Sequence, residues 1–459
     1  MHHGRHHLDF PAPGAQPHRQ LPTPDRPVYL PPVTSTSLRT VFAALKHRNF
    51  RLFITGQFIS LCGTWMQVIA RGWLVLQLTN SPFAVGLVTA LGSLPILFFT
   101  LYGGVIADRV NKRRFILVLQ SLMLAETLTL AILTATHLIT LHWVMALAVF
   151  SGLLSAFEVP TRQSFLAEIV DRQDLMNAIA LNSSAFNLAR VVGPAIAAGL
   201  IATVGLAACF FADAASYLAV IISLVRMDRG LSPKAGTDSV AVALRQGFSF
   251  VFGNRWPRAL VTLIATFSIF GFSFLPLMPV FARDALGTGA SGYGALVASV
   301  GIGAAAAAFF MAGFGHRVRR SRLVLGSSNL FGIVLLAASH APEFWSALVL
   351  FTLTGCVMAL NGIAANTMLQ SEAPDELRGR VMGFYSFTVL GLAPFGSFQA
   401  GWIAEHFGVR VAFEVGALVC LLVAATVAWR MVRAEKVERV EIAARLETGS
   451  AANTPMMEP

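Results

Sequence analysis

The stretch GGVIADRVNKRR, residues 103–114, joins two long apolar runs and carries five charged side chains within its last seven residues. The flanking runs, residues 83–106 and 115–135, each have about the 20 apolar residues that cross a bilayer core. Lys and Arg are enriched in the cytoplasmic loops of membrane proteins. A short basic loop between two such runs therefore indicates a cytoplasmic turn between transmembrane helices.

The overall composition agrees with this interpretation. Of the 459 residues, 55% are hydrophobic and only 12% are charged, whereas a soluble globular protein has about 25% charged residues. The formal net charge of +11 would suggest nucleic-acid binding in a soluble protein. Here the basic residues lie in short gaps between apolar runs, so they are expected to set membrane topology and to favour an anionic inner leaflet. We expect a lipid bilayer and no nucleic acid as the protein's environment.

Apolar runs of membrane-spanning length occur twelve times, six on each side of a polar loop. The predicted fold class is therefore all-α integral membrane, with twelve transmembrane helices. The runs lie at residues 52–77, 83–106, 115–135, 141–160, 179–202, 206–225, 258–282, 290–313, 323–340, 343–369, 381–404 and 409–430.

The distribution of basic residues predicts the orientation of these spans. Lys and Arg cluster after span 2, after span 8 and in the central loop, while alternate gaps such as TNSP and HAPE contain none. Both termini are therefore expected on the cytoplasmic side of the inner membrane. The predicted parts are a disordered cytoplasmic tail (1–38), an N-terminal six-helix bundle (39–225), a cytoplasmic central loop (226–257), a C-terminal six-helix bundle (258–430) and a cytoplasmic tail (431–459).

Sparse identities suggest that the two halves are repeats. Four residues of the first half recur 208 positions later in the same order. Their positions agree with the division of the chain into six spans and six spans. Two related bundles with a site between them are the architecture of a rocking transporter. The matching residues are Leu78, Gly86, Arg109 and Val110, which recur as Leu286, Gly294, Arg317 and Val318.

The loop at residues 103–114 resembles the motif between helices 2 and 3 of the major facilitator superfamily, and this resemblance extends over about residues 39–430. Asn111 replaces the second glycine of the motif, and Asn tolerates a left-handed turn better than most residues. The resemblance implies two six-helix bundles and an inner gate in which Asp108 pairs with basic residues and with a helix N-terminus of the other half. The residues that fall on the motif are Gly104, Asp108, Arg109, Lys112 and Arg113.

Three further segments resemble the exporter branch that includes enterobactin-exporter-like and macrolide-efflux-like proteins: GTWMQVIARGWLVLQLTNSPFAVGLV at 63–88, PTRQSFLAEIV at 160–170 and NLARVVGPAIAAG at 187–199. The last is similar to the antiporter motif of drug exporters, although Ala189 stands where that motif has its first glycine. The resemblance assigns this motif to Arg190, Gly193, Pro194 and Gly199. Pro194 cannot donate to the carbonyl of Arg190, so a bend and a buried charge are predicted at one place.

Span 1 carries a continuous polar stripe, because its polar residues are spaced by three or four. Lipid does not tolerate such a face, so it is expected to point into protein or a water-filled cavity. Span 10 offers a matching face in Asn366 and Gln370. Hydrogen bonding between helices, without any solute, is the alternative interpretation. The stripe consists of Gln57, Ser60, Thr64, Gln67 and Arg71.

Ionisable residues inside the membrane lie mostly in the first half. Glu126, Arg190 and Asp213 are each expected near the midplane, where an ion needs a partner of opposite charge. Arg190 with Asp213, or Arg190 with Glu126, is the predicted pair. Glu126 and Asp213 are candidates for a proton carrier, because alternating access would change their hydration and hence their pKa. A static buried pair is the alternative.

Enzymatic functions and ATP-driven transport are not supported by any motif. None of the four lysines follows a glycine, so a Walker A loop is absent from the sequence. The sequence has neither a metal-ligand cluster in its apolar runs nor a nucleophile constellation, so we expect no cofactor and no metal. The four cysteines occur singly in apolar runs and read as small hydrophobic residues.

These patterns predict a monomeric secondary exporter that exchanges protons for a small amphipathic organic solute, such as a siderophore or drug. Arg71 and Arg190 favour an anionic, catecholate-like solute. An uptake permease of the same fold and a non-transporting membrane interaction protein are the alternatives. Transport into inverted vesicles distinguishes an exporter from an uptake permease. The phenotypes of Asp108→Asn and Arg190→Ala distinguish a transporter from a non-transporting interaction protein.

Overall fold

The structure, a computed structural model, describes residues 42–227, 248–315, 318–374 and 377–451. The predicted tail at 1–38, with its histidine cluster, and most of the predicted loop at 226–257 lie outside the described residues. Within the described ranges the chain is helical and contains twelve helices long and apolar enough to cross a membrane. The prediction of twelve spans is confirmed.

The helices are labelled by span in chain order. They are α1 (Arg48–Thr79), α2 (Pro82–Arg109), α3 (Lys112–Ala135), α4 (Leu141–Leu166), α5 (Leu175–Thr203), α6 (Leu206–Arg226), α7 (Arg255–Thr266), α8 (Ala290–Phe314), α9 (Arg320–Ser339), α10 (Phe344–Glu372), α11a (Arg378–Gly391), α11b (Ala393–Phe407) and α12 (Val409–Ala451).

Local sequence explains the tight connection between α1 and α2. Asn80 ends α1 in the left-handed conformation, with φ 51°, which Asn adopts more readily than most residues. Ser81 then caps α2 by accepting a hydrogen bond from the backbone N–H of Ala84, and Pro82 occupies the first helical position, where its missing N–H costs nothing.

The turn between α2 and α3 differs from the expected left-handed loop. Asn111 has φ −69° and ψ 103°, so its backbone is extended, and its Oδ1 accepts a hydrogen bond from the N–H of Arg114 at 3.1 Å. Asn therefore replaces the glycine of the motif by acting as an N-cap of α3. The turn is short because α2 continues to Arg109 and α3 begins at Lys112.

Two predicted helices are interrupted. The seventh span leaves the α-helix after Thr266 and passes through π-helical turns at Phe267–Gly271 and Phe281–Ala285. Pro276 and Pro279 lie between these turns and cannot donate backbone hydrogen bonds. The eleventh span breaks at Leu392, just before Pro394, for the same reason.

The last helix is longer than expected. The sequence pattern predicted a cytoplasmic tail from residue 431, but α12 continues to Ala451. The residues that follow the apolar part, RAEKVERVEIAARLE at 433–447, are mostly strong helix formers and contain neither Gly nor Pro. High intrinsic propensity therefore extends the helix beyond the apolar run.

Within each half the helices pack in equivalent ways. Helix α1 packs on α5 and α6, and α2 packs on α4, while α8 packs on α10 and α9 packs on both α10 and α12. Arg48 at the start of α1 donates to the last carbonyl of α6, and Arg255 at the start of α7 donates to Arg430 and Met431 of α12. These two arginines, 207 residues apart, each begin the first helix of a half and donate to backbone carbonyls of its last helix, in agreement with a repeat.

The most extensive contacts between the halves are those of α2 with α11b and of α5 with α8. We call the end of the bundle that carries the α1–α2 connection the distal end, and the opposite end, where α1 and α7 begin, the proximal end. Gly86, near the distal start of α2, lies against the backbone of Ser397 and Gly401 on α11b. A side chain at residue 86 would collide with these atoms, so the two halves are closely packed at the distal end.

Helix α5 is the least buried of the membrane-spanning helices. Only 22% of the apolar segment of the fifth span is buried inside the protein, the lowest value among the twelve described spans. In the proximal part of α5, Ser183, Ser184 and Phe186 are exposed, whereas Gly193 and Pro194 further along are buried. The close contacts between α5 and α8 lie in the middle of α5, where Gly294 meets Pro194 and Ala198 and Gly301 meets Arg190 and Val191.

Candidate functional site

A cavity of about 410 Å³ lies between the two halves. Helices α1, α2 and α4 line it from the first half, and the seventh span, α8 and α11b line it from the second. Its apolar lining is interrupted by Gln67, Arg71 and a set of hydroxyl groups. The hydroxyl residues are Thr89, Ser93, Ser151, Ser155, Ser268, Ser273, Tyr293 and Ser397.

Most of these hydroxyls already use their proton. Ser93 and Ser397 donate to carbonyls one turn earlier in their own helices, and Ser268 donates to the carbonyl of Val389 at 2.7 Å. A hydroxyl that donates to a backbone carbonyl still has lone pairs that accept hydrogen bonds. The cavity therefore offers apolar surface and hydrogen-bond acceptors, which suits an amphipathic organic molecule.

The charged group of the cavity is Arg71, and it pairs with Glu126 across the α1–α3 interface. Nη2 of Arg71 lies 2.9 Å from Oε1 of Glu126, whose side chain is 1% exposed. The second oxygen of Glu126 accepts a hydrogen bond from Thr127 at 3.0 Å, and Thr127 accepts one from Gln67 at 3.1 Å. This arrangement joins two cavity residues to a buried carboxylate, while the Nε of Arg71 has no hydrogen-bond partner.

Asp213 lies on α6 beside this network and is completely buried. Its Oδ1 accepts a hydrogen bond from Ser216 at 3.3 Å, and among the described residues its Oδ2 has no hydrogen-bond partner. Glu126 and Arg71 act on it electrostatically. A side chain at Gly63 of α1 would collide with Asp213, so this glycine lets α1 approach the carboxyl group.

Arg190 is not paired as predicted. Within the described part of the chain it has no ion-pair partner, and Glu126 is engaged by Arg71 instead. The guanidinium of Arg190 lies over the ring of Trp65, 5.6 Å from its centroid, and its Nε is buried without a hydrogen bond. The rotation of α1 and α5 about their axes decides which of the two arginines faces α3.

The antiporter-like motif packs on two neighbours. Gly193 lies against Trp65 and Cys62 of α1, and Gly301 of α8 lies against the carbonyl of Arg190, the one that Pro194 leaves without a helical donor. Gly199 has open space around it. The small-residue face of Ala189 and Gly193 therefore meets α1.

The other residues of the polar stripe lie away from the cavity. Gln57 is buried, with an unpartnered Oε1, and Thr64 donates to the carbonyl of Ser60. Asn366 and Gln370 of α10 hydrogen-bond to each other at 2.6 Å, and the cavity lining does not include them. Of the predicted cavity residues, the structure brings only Gln67 and Arg71 to the cavity.

The loop motif at the proximal end contacts its own half. Lys112 pairs with Glu168 at 2.6 Å, and Arg113 donates to the carbonyls of Leu224 and Val225 at the end of α6. Arg109 is exposed and Gly104 has open space around it. The backbone of Asp108 is helical, but its side chain lies outside the described residues.

A second proximal cluster ties the segment before α1 to α5. Lys46 and His47 lie 2.6 Å and 2.8 Å from Oδ2 of Asp174, and the backbone N–H of Ala44 donates to Asn177. The side chains of His47, Asp171 and Asp174 are close enough to share a cation. Because the ammonium group of Lys46 already neutralises Asp174, the cluster acts as an anchor for this segment.

Three groups of site residues were not predicted from the sequence. The hydroxyl lining has a weak signal in the four-residue spacing of Thr89 with Ser93 and of Ser151 with Ser155. Tyr293, which stacks on Trp73 across the halves at 6.4 Å, and Glu405, which contacts the start of α2, have no comparable signal.

Comparison with known proteins identifies the family. Residues 39–454 match the family described as transmembrane secretion effector, MFS_3. The chain belongs to this family of the major facilitator superfamily. The family assignment made from the loop motif and the exporter-like segments is confirmed, and this MFS protein is a multi-pass membrane transporter and not an enzyme.

Similar transporters have been characterised in several bacteria. The chain is 24% identical to the staphyloferrin A transporter of Staphylococcus aureus over 369 residues, 80% of this chain and 92% of that protein. It is 27% identical to the multidrug efflux pump Tap of Mycolicibacterium fortuitum over 374 residues, 78% of this chain and 90% of the pump. It is 24% identical to the enterobactin exporter EntS of Shigella flexneri over 347 residues, 74% of this chain and 81% of EntS.

Solved structures confirm the fold of this MFS transporter. A bacterial homologue of the human lysosomal transporter Spinster, in an inward-facing and unoccupied conformation, aligns with a TM-score of 0.68 at 14% identity, covering 83% of this chain and 96% of that one. A D-xylose-proton symporter aligns with a TM-score of 0.63 at 13% identity, covering 82% and 97%.

Proposed function

We propose that this transporter exports a small amphipathic organic solute from the cytoplasm in exchange for protons, by alternating access. The observation that carries the proposal is the Arg71–Glu126 pair, which places a buried carboxylate beside the cavity between the two halves. Ionisable residues at membrane depth are costly and typically mark solute or proton pathways. Asp213, buried with one free oxygen, is the second candidate carrier.

The distribution of charge assigns the cytoplasmic side of the bundle. The basic clusters of the sequence lie at the proximal end, so this end is assigned to the cytoplasm, together with both termini. Transporters with siderophore and drug exporter names among the relatives also favour export. We propose that the protein acts as a monomer in the inner membrane.

Alternation requires a second set of contacts that closes the proximal end. The loop motif is the candidate for this inner gate, with Gly104, Asp108 and Arg109 on it. Lys112 and Arg113 contact their own half, so they hold the motif in place. The bend at Pro194 next to Gly301 is the candidate hinge of the α5–α8 contact.

The test is solute transport in everted membrane vesicles with an acidic lumen, using fluorescein and rhodamine 6G as probes. Wild-type vesicles should accumulate a probe, a protonophore should abolish this, and Glu126→Gln or Asp213→Asn should abolish the response to the pH gradient. Accumulation only in right-side-out vesicles would indicate an uptake permease. Transport that ignores the pH gradient, or both carboxyl variants behaving as wild type, would refute proton exchange.

A further inference from the structure

Arg190 is a cation near the middle of the membrane without a counter-ion in the described part of the chain. It lies about halfway along α5 (Leu175–Thr203). Other arginines of the first half at membrane depth are neutralised, Arg71 by Glu126 and Arg162 by Glu158 at 2.8 Å. Charged residues in this region normally pair with one another or face a water-filled pathway.

The surroundings of Arg190 compensate for its charge only in part. Trp65 provides a cation–π contact at 5.6 Å, which recovers part of the hydration that a guanidinium loses. The Nε of Arg190 is buried and donates to no group, although buried polar groups are normally hydrogen-bonded. This leaves one positive charge and one N–H donor without a partner.

The location of Arg190 connects it with the cavity. Trp65, whose ring carries the guanidinium, is itself part of the cavity lining. Phe186, one helical turn before Arg190, packs edge-on against the same ring at 6.0 Å and is 42% exposed. The cation and the two aromatic rings therefore form a platform beside the cavity.

We infer that the transported solute carries an anionic oxygen group, a carboxylate or an ionised catechol, which pairs with Arg190 beside Trp65 while the rest of the solute occupies the cavity. A planar guanidinium matches such an oxygen pair in two parallel hydrogen bonds. The hydroxyl acceptors of the cavity bind hydroxyl or amide donors on the same solute. This inference rests on the proposed transport function and names the chemical class of its solute.

Two xanthene dyes of opposite charge test the inference, fluorescein as the anion and rhodamine 6G as the cation. Binding to the purified protein in lipid nanodiscs is measured by fluorescence anisotropy, without any ion gradient. Fluorescein should bind the wild type more tightly than rhodamine 6G. Arg190→Gln should weaken fluorescein binding roughly tenfold or more, because a charge-assisted hydrogen bond is lost, and should leave rhodamine 6G binding equal or tighter.

Two further variants make the result specific. Arg190→Lys keeps the charge but not the planar fork, so its affinity for fluorescein should lie between those of the wild type and Arg190→Gln. Arg162→Gln removes a cation that is already paired with Glu158, and it should bind both dyes as the wild type does. Rhodamine 6G binding by Arg190→Gln shows that this variant is folded.

Three results would overturn the inference: no fluorescein binding by the wild type, unchanged fluorescein binding by Arg190→Gln, or equal losses for both dyes. The equilibrium measurement is independent of proton exchange. If rhodamine 6G alone is bound and is accumulated in a pH-dependent way, the transport proposal stands and the anionic class is wrong. If fluorescein binds through Arg190 but no gradient drives its movement, the transport proposal fails on its own.

Discussion

The carboxylate of Glu405, on α11b, accepts a hydrogen bond from the backbone N–H of Phe83 at 3.0 Å and another from the hydroxyl of Ser81 at 2.8 Å. A side chain of the second half thereby caps the N-terminus of α2 in the first half, where the helix dipole favours a negative charge. A second polar contact at the same end joins Arg283 to Asn80 at 3.0 Å. Together they form a latch across the distal end of the transporter.

Replacing Glu405 by Gln should shift the protein toward the state that is open at the distal end. The loss of a charged cap is worth about 1 kcal/mol, which corresponds to a roughly fivefold change in the population ratio. Spin labels at the exposed distal residues Thr136 and Trp345 would report this as a longer interlabel distance in pulsed EPR.

Glu343→Gln is the matched control for this variant. Glu343 is also an acidic helix cap at the distal end, but it caps α10 within its own half, through a capping box with Ser346. Its loss should leave the label distance unchanged. An identical shift in both variants would show that charge at the distal surface, and not the contact between halves, controls the opening.

Gly86→Ala should weaken distal closure more strongly. The added methyl group would lie 2.5 Å from the carbonyl oxygen of Ser397, and overpacking of this kind costs about 1–3 kcal/mol. We expect longer distal label distances and lower transport. Gly326→Ala on α9 is the control, because nothing lies within 4 Å of its Cβ position; it should be neutral or slightly stabilising. Normal transport in Gly86→Ala would mean that the α2–α11b contact accommodates the added methyl group without loss of function.

The Arg71–Glu126 pair should respond asymmetrically to removal of either partner. Glu126→Gln leaves a guanidinium that cannot release its proton, whereas Arg71→Gln leaves a carboxylate that can take one up. We expect Glu126→Gln to lower the thermal unfolding midpoint more, with a loss of about 3–5 kcal/mol, and the Arg71→Gln/Glu126→Gln double variant to be more stable than Glu126→Gln alone. Strictly additive losses would argue against a coupled pair.

Arg113→Gln should destabilise the protein through α6. Arg113 donates to the carbonyls of Leu224 and Val225 at 2.6 and 3.0 Å, and such a cap on a helix C-terminus contributes about 1–2 kcal/mol. Thermal unfolding in detergent measures this loss. The neighbouring Arg114 is exposed, so Arg114→Gln should have little effect on stability. Equal melting temperatures for the two variants would contradict the capping role.

Much of the fold could be predicted because membrane spans are encoded locally. Twelve apolar runs give twelve helices, since a chain in lipid must satisfy its backbone hydrogen bonds within each helix. The capping of α2 by Ser81 and of α3 by Asn111 is likewise local. The breaks after Thr266 and at Leu392 follow from nearby prolines. Continuous helices were predicted there because the apolar runs are uninterrupted.

Only the polar and charged residues of the site, and not their contacts, could be predicted. The polar stripe of α1 and the acids of α3 and α6 were visible in the sequence, and the spacing of three and four residues correctly placed Gln67 and Arg71 on one face. The partner of each charge was not visible. Arg190 was expected to meet Glu126 or Asp213, but the rotation of α5 turns it onto Trp65, and that rotation depends on the fit of Gly193 against α1.

The sequence by itself therefore determined the number of spans, the approximate ends of most helices and the family. These properties depend on hydrophobic length, local capping and short motifs. Only the tertiary structure decided that Arg71 neutralises Glu126, 55 residues away, and that Glu405 caps a helix 322 residues before it. Such contacts depend on which helices are neighbours and on how each one is rotated about its axis. Neither property is written in the composition or periodicity of a single helix.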